Sequence, residues 1–393
     1  MDVLRRNFRE LDFSLFGVLI LLAAFSCVAL LTATYGKPLS SGVPPHILMK
    51  QIIFEVMGLV ALLMVAVFDY RTLRKYRWWL YGISIALLLV VYAMPSRKGS
   101  FSWIPLGLFS FQPSELAKLT MIVGIAGFMA HVDEEEFPDY GWKKIAVVGA
   151  LFVVPFALTL KEPALGQALV MFAIVLTMLA VFAKRSHFVL LTAGMIAFVA
   201  AMVLVASQFP VQTIQFIDKV LVPHHLIQSF QAYRIHSWLD PTFSLNRYGY
   251  NVHQAEIAIG SGQIFGEGIF GGIKTKGGWI PNQWNDYIFT TVGEELGFVG
   301  SSVLILLFLM LIYRLIRIAG TAQDTFGTYV ITGIIGMFAF QIFENIGADM
   351  YLSPSTGITL PFISYGGSSL IINYIAVGLV VSVALRRKKL RFA

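Results

Sequence analysis

Ten hydrophobic runs, each close to the length of a membrane span, dominate the pattern of apolar and polar residues. A helix that crosses the hydrocarbon core needs about 20 mostly apolar residues. The runs lie near residues 14–34, 48–68, 78–94, 114–131, 145–160, 165–183, 188–207, 287–313, 326–346 and 368–385. Runs of this length exclude a membrane β-barrel, whose strands are shorter and alternate in polarity. The pattern therefore predicts an all-α polytopic membrane protein with ten transmembrane helices.

Only one connection between the runs is long. It covers residues 208–286 and lies between the seventh and eighth predicted helices. We therefore expect a single membrane domain over residues 1–393 with one large loop outside the membrane. Within the loop, alanine and isoleucine around residues 254–260 predict a short amphipathic helix at the membrane surface. The glycines between residues 266 and 278 permit tight turns and a close approach of backbone to a ligand.

Composition supports the membrane class. The chain is 57% hydrophobic and only 13% charged, whereas a soluble domain has roughly 25% charged residues. The single cysteine, Cys27, lies inside the first run, so no disulfide framework and no thiol-based metal site is expected. The first run is long enough to span and no A-x-A-type cleavage site follows it, so we expect no cleavable signal peptide.

Basic residues are concentrated on one side of the predicted bundle. They precede the first run, lie in every second connection and follow the last run, whereas loop 208–286 holds only five. Because lysine and arginine are enriched in cytoplasmic loops, both termini are predicted to be cytoplasmic and the long loop extracytoplasmic. This bias explains the net charge of +7, so no nucleic-acid partner is expected.

Charged residues near the ends of the predicted helices are the first candidates for function. Asp286 stands where the chain re-enters the membrane, a costly place for a carboxylate, and it either caps the eighth helix or has a functional role. Glu115 lies in the first turn of the fourth helix, and Lys118 follows three residues later on the same face. The two form either a structural ion pair or part of a polar cavity that meets an anionic headgroup.

Residues 345–369 are too rich in polar residues, glycine and proline to form a regular span. Irregular backbone at membrane depth is tolerated only where it is buried in protein or lines a cavity. We therefore expect the outer half of the bundle to enclose a polar cavity that faces the long loop.

Three segments of the chain occur in an order that matches one family. Residues 360–369 read Leu-Pro-Phe-Ile-Ser-Tyr-Gly-Gly-Ser-Ser, and residues 111–118 read Phe-Gln-Pro-Ser-Glu-Leu-Ala-Lys. Residues 286–289 read Asp-Tyr-Ile-Phe and are followed by Gly-Glu-Glu-Leu-Gly at 293–297. Over nearly its whole length the chain resembles the SEDS family (shape, elongation, division and sporulation), the RodA/FtsW-type peptidoglycan polymerases.

The resemblance implies a glycosyltransferase that polymerises lipid II into glycan strands at the outer face of the bacterial cytoplasmic membrane, for cell shape, division or sporulation. The family's essential aspartate matches Asp286, which we expect to deprotonate the attacking sugar hydroxyl. The leaving polyprenyl diphosphate needs cations or helix N-termini, and Lys118 and Arg234 are the candidates. The other expected substrate-binding residues are Trp103, Glu115, Glu294, Glu295, Ser364 and Ser368.

Partner and cofactor follow from the resemblance alone. It implies a class B penicillin-binding protein, a transpeptidase, as partner, and no motif in the chain indicates one. No metal site is indicated either, and a divalent cation, Mg²⁺ or Mn²⁺, stays open as a cofactor.

Some positions depart from the family pattern. Residues 163–166 read Pro-Ala-Leu-Gly where the family usually has Pro-Asp-Leu-Gly, so Ala164 replaces a carboxylate. Asn285 and Tyr287 flank Asp286 where threonine and phenylalanine are usual, and residues 345–350 are also unusual. If the missing acid holds a cation or the substrate, activity is expected to be reduced.

Two other functions are compatible with the sequence. A transporter or flippase for a lipid-linked precursor predicts charged residues deep in several spans, yet the acids in the spans are few, Glu55 and Glu344. A non-catalytic scaffold for a penicillin-binding protein predicts that replacing Asp286 leaves function intact.

Overall fold

Helices make up almost all of the regular structure in a computed structural model of the chain. The structure describes residues 12–35, 43–94, 102–105, 110–134, 141–162, 164–223, 228–239 and 249–386. The helices are α1 (Phe13–Thr34), α2 (Ile47–Val67), α3 (Arg71–Val91), α4 (Pro113–Glu134), α5 (Gly141–Lys161), α6 (Leu165–Phe182), α7 (Arg185–Gln208), α8 (Pro210–Phe216), α9 (Ser229–Leu239), α10 (Tyr250–Ser261), α11 (Ile273–Gly277), α12 (Ile288–Ala319), α13 (Thr325–Asp349) and α14 (Gly367–Ala384). Strands β1 (Ile104–Pro105) and β2 (Ser110–Phe111) pair antiparallel just before α4.

The all-α multi-pass class predicted from the sequence is confirmed. Eight long helices in the described ranges are apolar enough to cross a membrane, namely α1, α2, α4, α5, α6, α12, α13 and α14. Helices α3 and α7 have 21 and 24 residues and match the other two predicted runs. Helix α3 begins at Arg71, seven residues before the predicted run. The run missed these residues because the first two turns of the helix are basic. Ten crossings and the side on which each terminus lies remain predictions, since the basic ends before residue 12 and after residue 386 lie outside the described residues.

Glycines allow the central helices to approach one another closely. Helices α4, α13 and α14 are the most buried spans, and α14 packs extensively on α2. A Cβ at Gly58 of α2 would lie 2.2 Å from a ring carbon of Tyr374, and a Cβ at Gly378 would lie 2.8 Å from the carbonyl oxygen of Leu62. Small residues are typical of such contacts because lipid tails provide no hydrophobic drive between helices, so close van der Waals packing must hold them together.

The helix expected around residues 254–260 is present as α10, but its buried face contacts protein. Ala255 and Ala258 pack against Ile280 and Tyr287, just before α12. The apolar side of this helix therefore fastens the long loop to the bundle.

Helix α12 is kinked at Gly297, and the loop crosses it there. Gly297 has φ +63° and ψ −158°, a backbone region that is essentially restricted to glycine. Backbone hydrogen bonds of 2.9–3.0 Å join residues 263–268 to residues 294–299 on both sides of the kink. A Cβ at Gly262 would lie 1.9 Å from the Gly293 carbonyl oxygen, and one at Gly266 would lie 2.1 Å from that of Glu295. The loop thus lies directly on the backbone of α12.

Candidate functional site

A large cavity occupies the end of the bundle that carries the long loop. Its volume is about 1090 Å³, and polar and apolar groups share its wall. The wall combines the start of α2, the β1–β2 region, the start of α6, α9, residues 281–287 and most of residues 351–369. The irregular segment predicted to line a cavity therefore forms one side of it.

Asp286 lines this cavity from the turn before α12. The first helical residue is Ile288 and the N-cap is Tyr287, which makes no side-chain cap bond, so Asp286 stands one residue before the cap. Its carbonyl oxygen accepts a 2.8 Å hydrogen bond from the side-chain amide of Asn345, and the same amide also donates to the carbonyl of Ile358 at 2.8 Å. The main chain at Asp286 is therefore tied both to α13 and to the cavity wall.

Arg234 brings a cation to the same place from α9. A Cβ at Gly357, which has φ +79°, would lie 3.3 Å from Nη1 of Arg234 and 3.3 Å from Oδ2 of Asp286. The guanidinium and the carboxylate therefore converge above this glycine, and both line the cavity. A carboxylate near a cation can accept a proton while the cation stabilises an anionic leaving group.

Two further acids of α13 lie beside Asp286. The Glu344 carboxylate accepts a short hydrogen bond from the Thr356 hydroxyl, and Asp349 is fully buried. Both interact electrostatically with Asp286. In the sequence, Glu344 stands out only as an acid in a predicted span and Asp349 only as part of an unusual segment. The signal that could have found them is their position at the end of α13, next to the irregular wall.

The expected pair Glu115–Lys118 is present but lies behind the wall. Lys118 Nζ is 2.9 Å from Glu115 Oε2, and both side chains are at most 1% exposed. Gln167, which does line the cavity, donates a 2.8 Å hydrogen bond to Glu115 Oε1. The ion pair is therefore linked to the cavity by the side-chain amide of Gln167, and it does not line the cavity itself.

Of the other expected site residues, Trp103 lines the cavity, whereas Glu294 and Glu295 lie where the long loop crosses α12. Glu294 accepts hydrogen bonds from the backbone N–H groups of Lys274 and Thr275 at 2.6 and 2.9 Å, so it anchors α11 of the loop. Glu295 is buried beside it, against the kink.

Two serines of the matched C-terminal segment accept hydrogen bonds from backbone N–H groups. The hydroxyl of Ser364 accepts a 2.8 Å hydrogen bond from the Leu360 N–H and stabilises the turn of residues 360–364. The hydroxyl of Ser368 accepts one of 3.2 Å from the Gln112 N–H, which joins α14 to the segment before α4.

Burial changes the ionisation of two groups near the cavity. It raises the pKa of the Glu162 carboxyl to about 8, at the end of α5. It also raises the pKa of the Tyr287 hydroxyl above its ordinary value, so this group stays neutral and shares a 2.9 Å hydrogen bond with Ser355. Among the described residues, no group of three or more His, Cys, Asp or Glu side chains is arranged to hold a metal ion.

Ala164 lies at the cavity as the N-cap residue of α6, and it makes no side-chain cap bond. An aspartate at an N-cap accepts hydrogen bonds from the first turn of its helix. The family's usual acid would therefore both cap α6 and face the cavity.

Comparison with known proteins agrees with this architecture. Residues 12–389 match the family model described as cell cycle protein, which covers FtsW, RodA and SpoVE. The chain is 36% identical to stage V sporulation protein E of Bacillus subtilis over 85% of this chain and 86% of that protein. It is 31% identical to peptidoglycan glycosyltransferase MrdB of Escherichia coli K12 over 97% and 95% of the two chains.

A solved structure shares the whole fold. A chain from a study of "polymerization and crosslinking by a peptidoglycan synthase complex" superimposes with a TM-score of 0.74 at 27% identity, covering 96% of this chain and 98% of that one. A family match over nearly all residues, together with relatives above 30% identity, settles the classification. The chain belongs to the FtsW/RodA/SpoVE family of cell cycle proteins, the SEDS family of multi-pass cytoplasmic membrane proteins.

Proposed function

We propose that this chain is a peptidoglycan glycosyltransferase that polymerises lipid II at the outer face of the cytoplasmic membrane. The observation that carries the proposal is the convergence of Asp286 and Arg234 in a large open cavity. Relatives across the whole length of the chain are named peptidoglycan glycosyltransferases, which supports the same activity here.

Asp286 is proposed as the general base. A sugar hydroxyl of one substrate attacks the anomeric carbon of the other, the bond from that carbon to the diphosphate oxygen breaks, and the hydroxyl proton passes to the carboxylate. A base must lie within hydrogen-bond reach of the proton that it accepts. The bonds from Asn345 fix the main chain of Asp286 while its carboxylate faces the cavity.

Arg234 is proposed to hold the leaving diphosphate. Five N–H donors in a planar fork suit phosphate oxygens, and the guanidinium faces the same space as Asp286. The buried pair Glu115–Lys118 then acts as a positioning unit that orients Gln167 at the wall. This role differs from the direct contact with the diphosphate that the sequence suggested for Lys118, because the ammonium is 0% exposed.

The cavity is large enough for a sugar headgroup. Ligand pockets usually have volumes of roughly 300–1,000 Å³, and this one reaches about 1090 Å³. Trp103, Trp238 and Trp284 provide aromatic surface within it.

Topology and partner complete the proposal. We propose that the cavity end lies outside the cell and that both termini are cytoplasmic, on the basis of the lysine and arginine distribution. Ten crossings and a single domain are proposed from the hydrophobic runs. A class B penicillin-binding protein is proposed as the partner, and the similarity to a chain from a peptidoglycan synthase complex supports this.

Polymerisation of purified lipid II by the chain, with and without a class B penicillin-binding protein, tests the proposal. The parent is expected to give polymer, and Asp286→Asn is expected to give none while keeping the parent's melting temperature. Glu256→Gln is the matched control, since it removes an exposed carboxylate from α10 of the same loop.

Other outcomes would identify the alternatives. If Asp286→Asn polymerises as well as the parent, the base is assigned wrongly. If the parent is inactive with its partner, Ala164→Asp restores the family's usual acid at the cavity. Inactivity of that variant as well would favour a scaffold, and movement of lipid II across vesicle membranes would favour a transporter.

A further inference from the structure

The end of the long loop and the adjoining part of α12 carry exposed apolar side chains that do not line the cavity. We call this group the apolar patch, and its members are Ile264, Phe265, Ile269, Ile273, Trp279 and Phe298. Phe265 is 79% exposed and Phe298 is 70% exposed. Exposed large apolar side chains gathered in one segment indicate a surface that contacts a membrane or a partner.

The kink in α12 sets the level of the patch relative to the bilayer. Residues 298–319, the part of α12 after Gly297, extend about 33 Å at about 1.5 Å per residue. The hydrocarbon core is about 30 Å thick. The kink, and the loop residues 263–268 that are hydrogen-bonded across it, therefore lie close to one boundary of the hydrocarbon.

Helix α1 gives the same level independently. It has 22 residues, which again corresponds to one full crossing. Thr32, in its last turn, contacts the Glu295 carboxylate beside the kink. Tyr35, just beyond its end, packs on Phe270 of the loop with ring centroids 4.7 Å apart. Two helices thus place residues 264–279 at the height where a span ends.

The patch continues the lipid-facing surface of α12 and has the chemistry of an interface. Val299, Val303 and Leu306 follow Phe298 on α12 and are exposed as well. Lys274 Nζ lies 4.5 Å from the centre of the Trp279 ring, and Lys276 is exposed. Tryptophan and lysine with aliphatic side chains are typical of segments that lie at the headgroup boundary.

We propose that residues 264–279 dip into the leaflet at the cavity end of the bundle, where the apolar patch contacts acyl chains and the two lysines contact lipid phosphates. The segment is continuous with residues 281–287, which line the cavity and carry Asp286. The membrane surface therefore supports the loop that forms the cavity wall. This inference does not depend on the proposed function.

Spin-label accessibility in lipid nanodiscs tests it on the full chain. Cys27 is the single cysteine, so Cys27→Ser gives a background for one label at a time. Labels are placed by Phe265→Cys in the patch, Leu306→Cys on the lipid-facing part of α12 and Glu256→Cys on exposed α10. All three original side chains are exposed, so folding is expected to be retained.

The readout is the ratio of two collision rates of the label, one with oxygen, which partitions into lipid, and one with a water-soluble nickel chelate. The label at 265 is expected to resemble that at 306, with a ratio several-fold above that at 256. A ratio at 265 equal to that at 256 would overturn the proposal. Low accessibility to both reagents at 265 would also overturn it, since a second copy or another protein would then cover the patch.

The lysines provide a second readout. In nanodiscs of phosphatidylglycerol, the label at 265 is expected to be less accessible to the nickel chelate than in phosphatidylcholine. Lys276→Gln is expected to reduce that difference. An identical nickel accessibility in both lipids would overturn the proposed attraction of the two lysines to anionic headgroups, since phosphatidylcholine has a phosphate but no net charge.

Discussion

Replacing Lys118 with methionine removes one half of the buried ion pair behind the cavity. At 2.9 Å, two unit charges in an effective dielectric of about 20 attract by about 6 kcal/mol. Desolvation offsets much of this attraction, so the pair adds little net stability while it is intact. Without the lysine, however, Glu115 remains buried and retains the Gln167 amide as a donor. We expect Lys118→Met to lower the free energy of unfolding by about 3–5 kcal/mol.

The double variant Glu115→Gln/Lys118→Met separates the charge from the loss of packing. It leaves no buried charge and keeps an oxygen that can accept from Gln167, so it is expected to regain most of the lost stability. Lys75→Met makes the same chemical change at an exposed position of α3 and is expected to shift stability by less than about 0.5 kcal/mol.

Denaturant unfolding of the four proteins in one detergent, together with their melting temperatures, is the assay. A loss below about 1 kcal/mol for Lys118→Met would show that Glu115 is neutralised or solvated in its absence. A double variant as unstable as the single one would show that packing of the lysine stem dominates. Either result would refute the reasoning from uncompensated charge.

Three further changes probe the buried Glu162 carboxyl, the kink in α12 and the hydrogen bonds that hold the main chain of Asp286. Burial raises the Glu162 pKa to about 8, so the folded protein binds more protons than the unfolded chain between about pH 4.5 and 8. Stability should therefore fall by up to about 1.4 kcal/mol per pH unit as the pH rises through that window. Glu162→Gln should make the melting temperature less dependent on pH in the same window. Gly297→Ala should destabilise the protein strongly, because its Cβ would lie 2.3 Å from the Gly266 nitrogen at φ +63°, whereas Gly260→Ala, with no atom within 4 Å of its Cβ, should raise the melting temperature slightly. Asn345→Leu leaves the carbonyls of Asp286 and Ile358 without the amide that donates to them. The polymerisation rate should fall, and the free energy of unfolding should fall by about 1–3 kcal/mol per buried carbonyl. Polymerisation at the parent's rate would show that other contacts hold the main chain of Asp286.

The sequence predicted the class of fold well because hydrophobic runs report directly on membrane spans. Glu115 and Lys118 were correctly paired, since helical spacing places them on one face. Their position behind the cavity wall was not predictable, because spacing says which face is shared and not what covers it. Gln167, which covers the pair, is 49 residues away in the chain from Lys118 and carries no distinctive pattern.

The role of Glu294 shows the same limit. An acid in a matched motif suggested substrate binding, yet its carboxylate accepts the backbone N–H groups of α11. That contact depends on how the loop folds back over α12, which no local pattern encodes. The convergence of Arg234 on Asp286 also depends on this folding, and only the resemblance indicated that both residues belong to one site.

The crossing of the loop over α12 limits how this part of the chain can be exchanged between relatives. At Gly262, Gly266 and Gly297 the nearest atoms to an added Cβ belong to backbone, so no side-chain adjustment elsewhere can relieve a larger residue there. A chimera that imports the long loop must therefore import residues 288–299 with it. The modular unit that natural recombination or a protein engineer could move is thus the loop together with the first third of the helix that follows it.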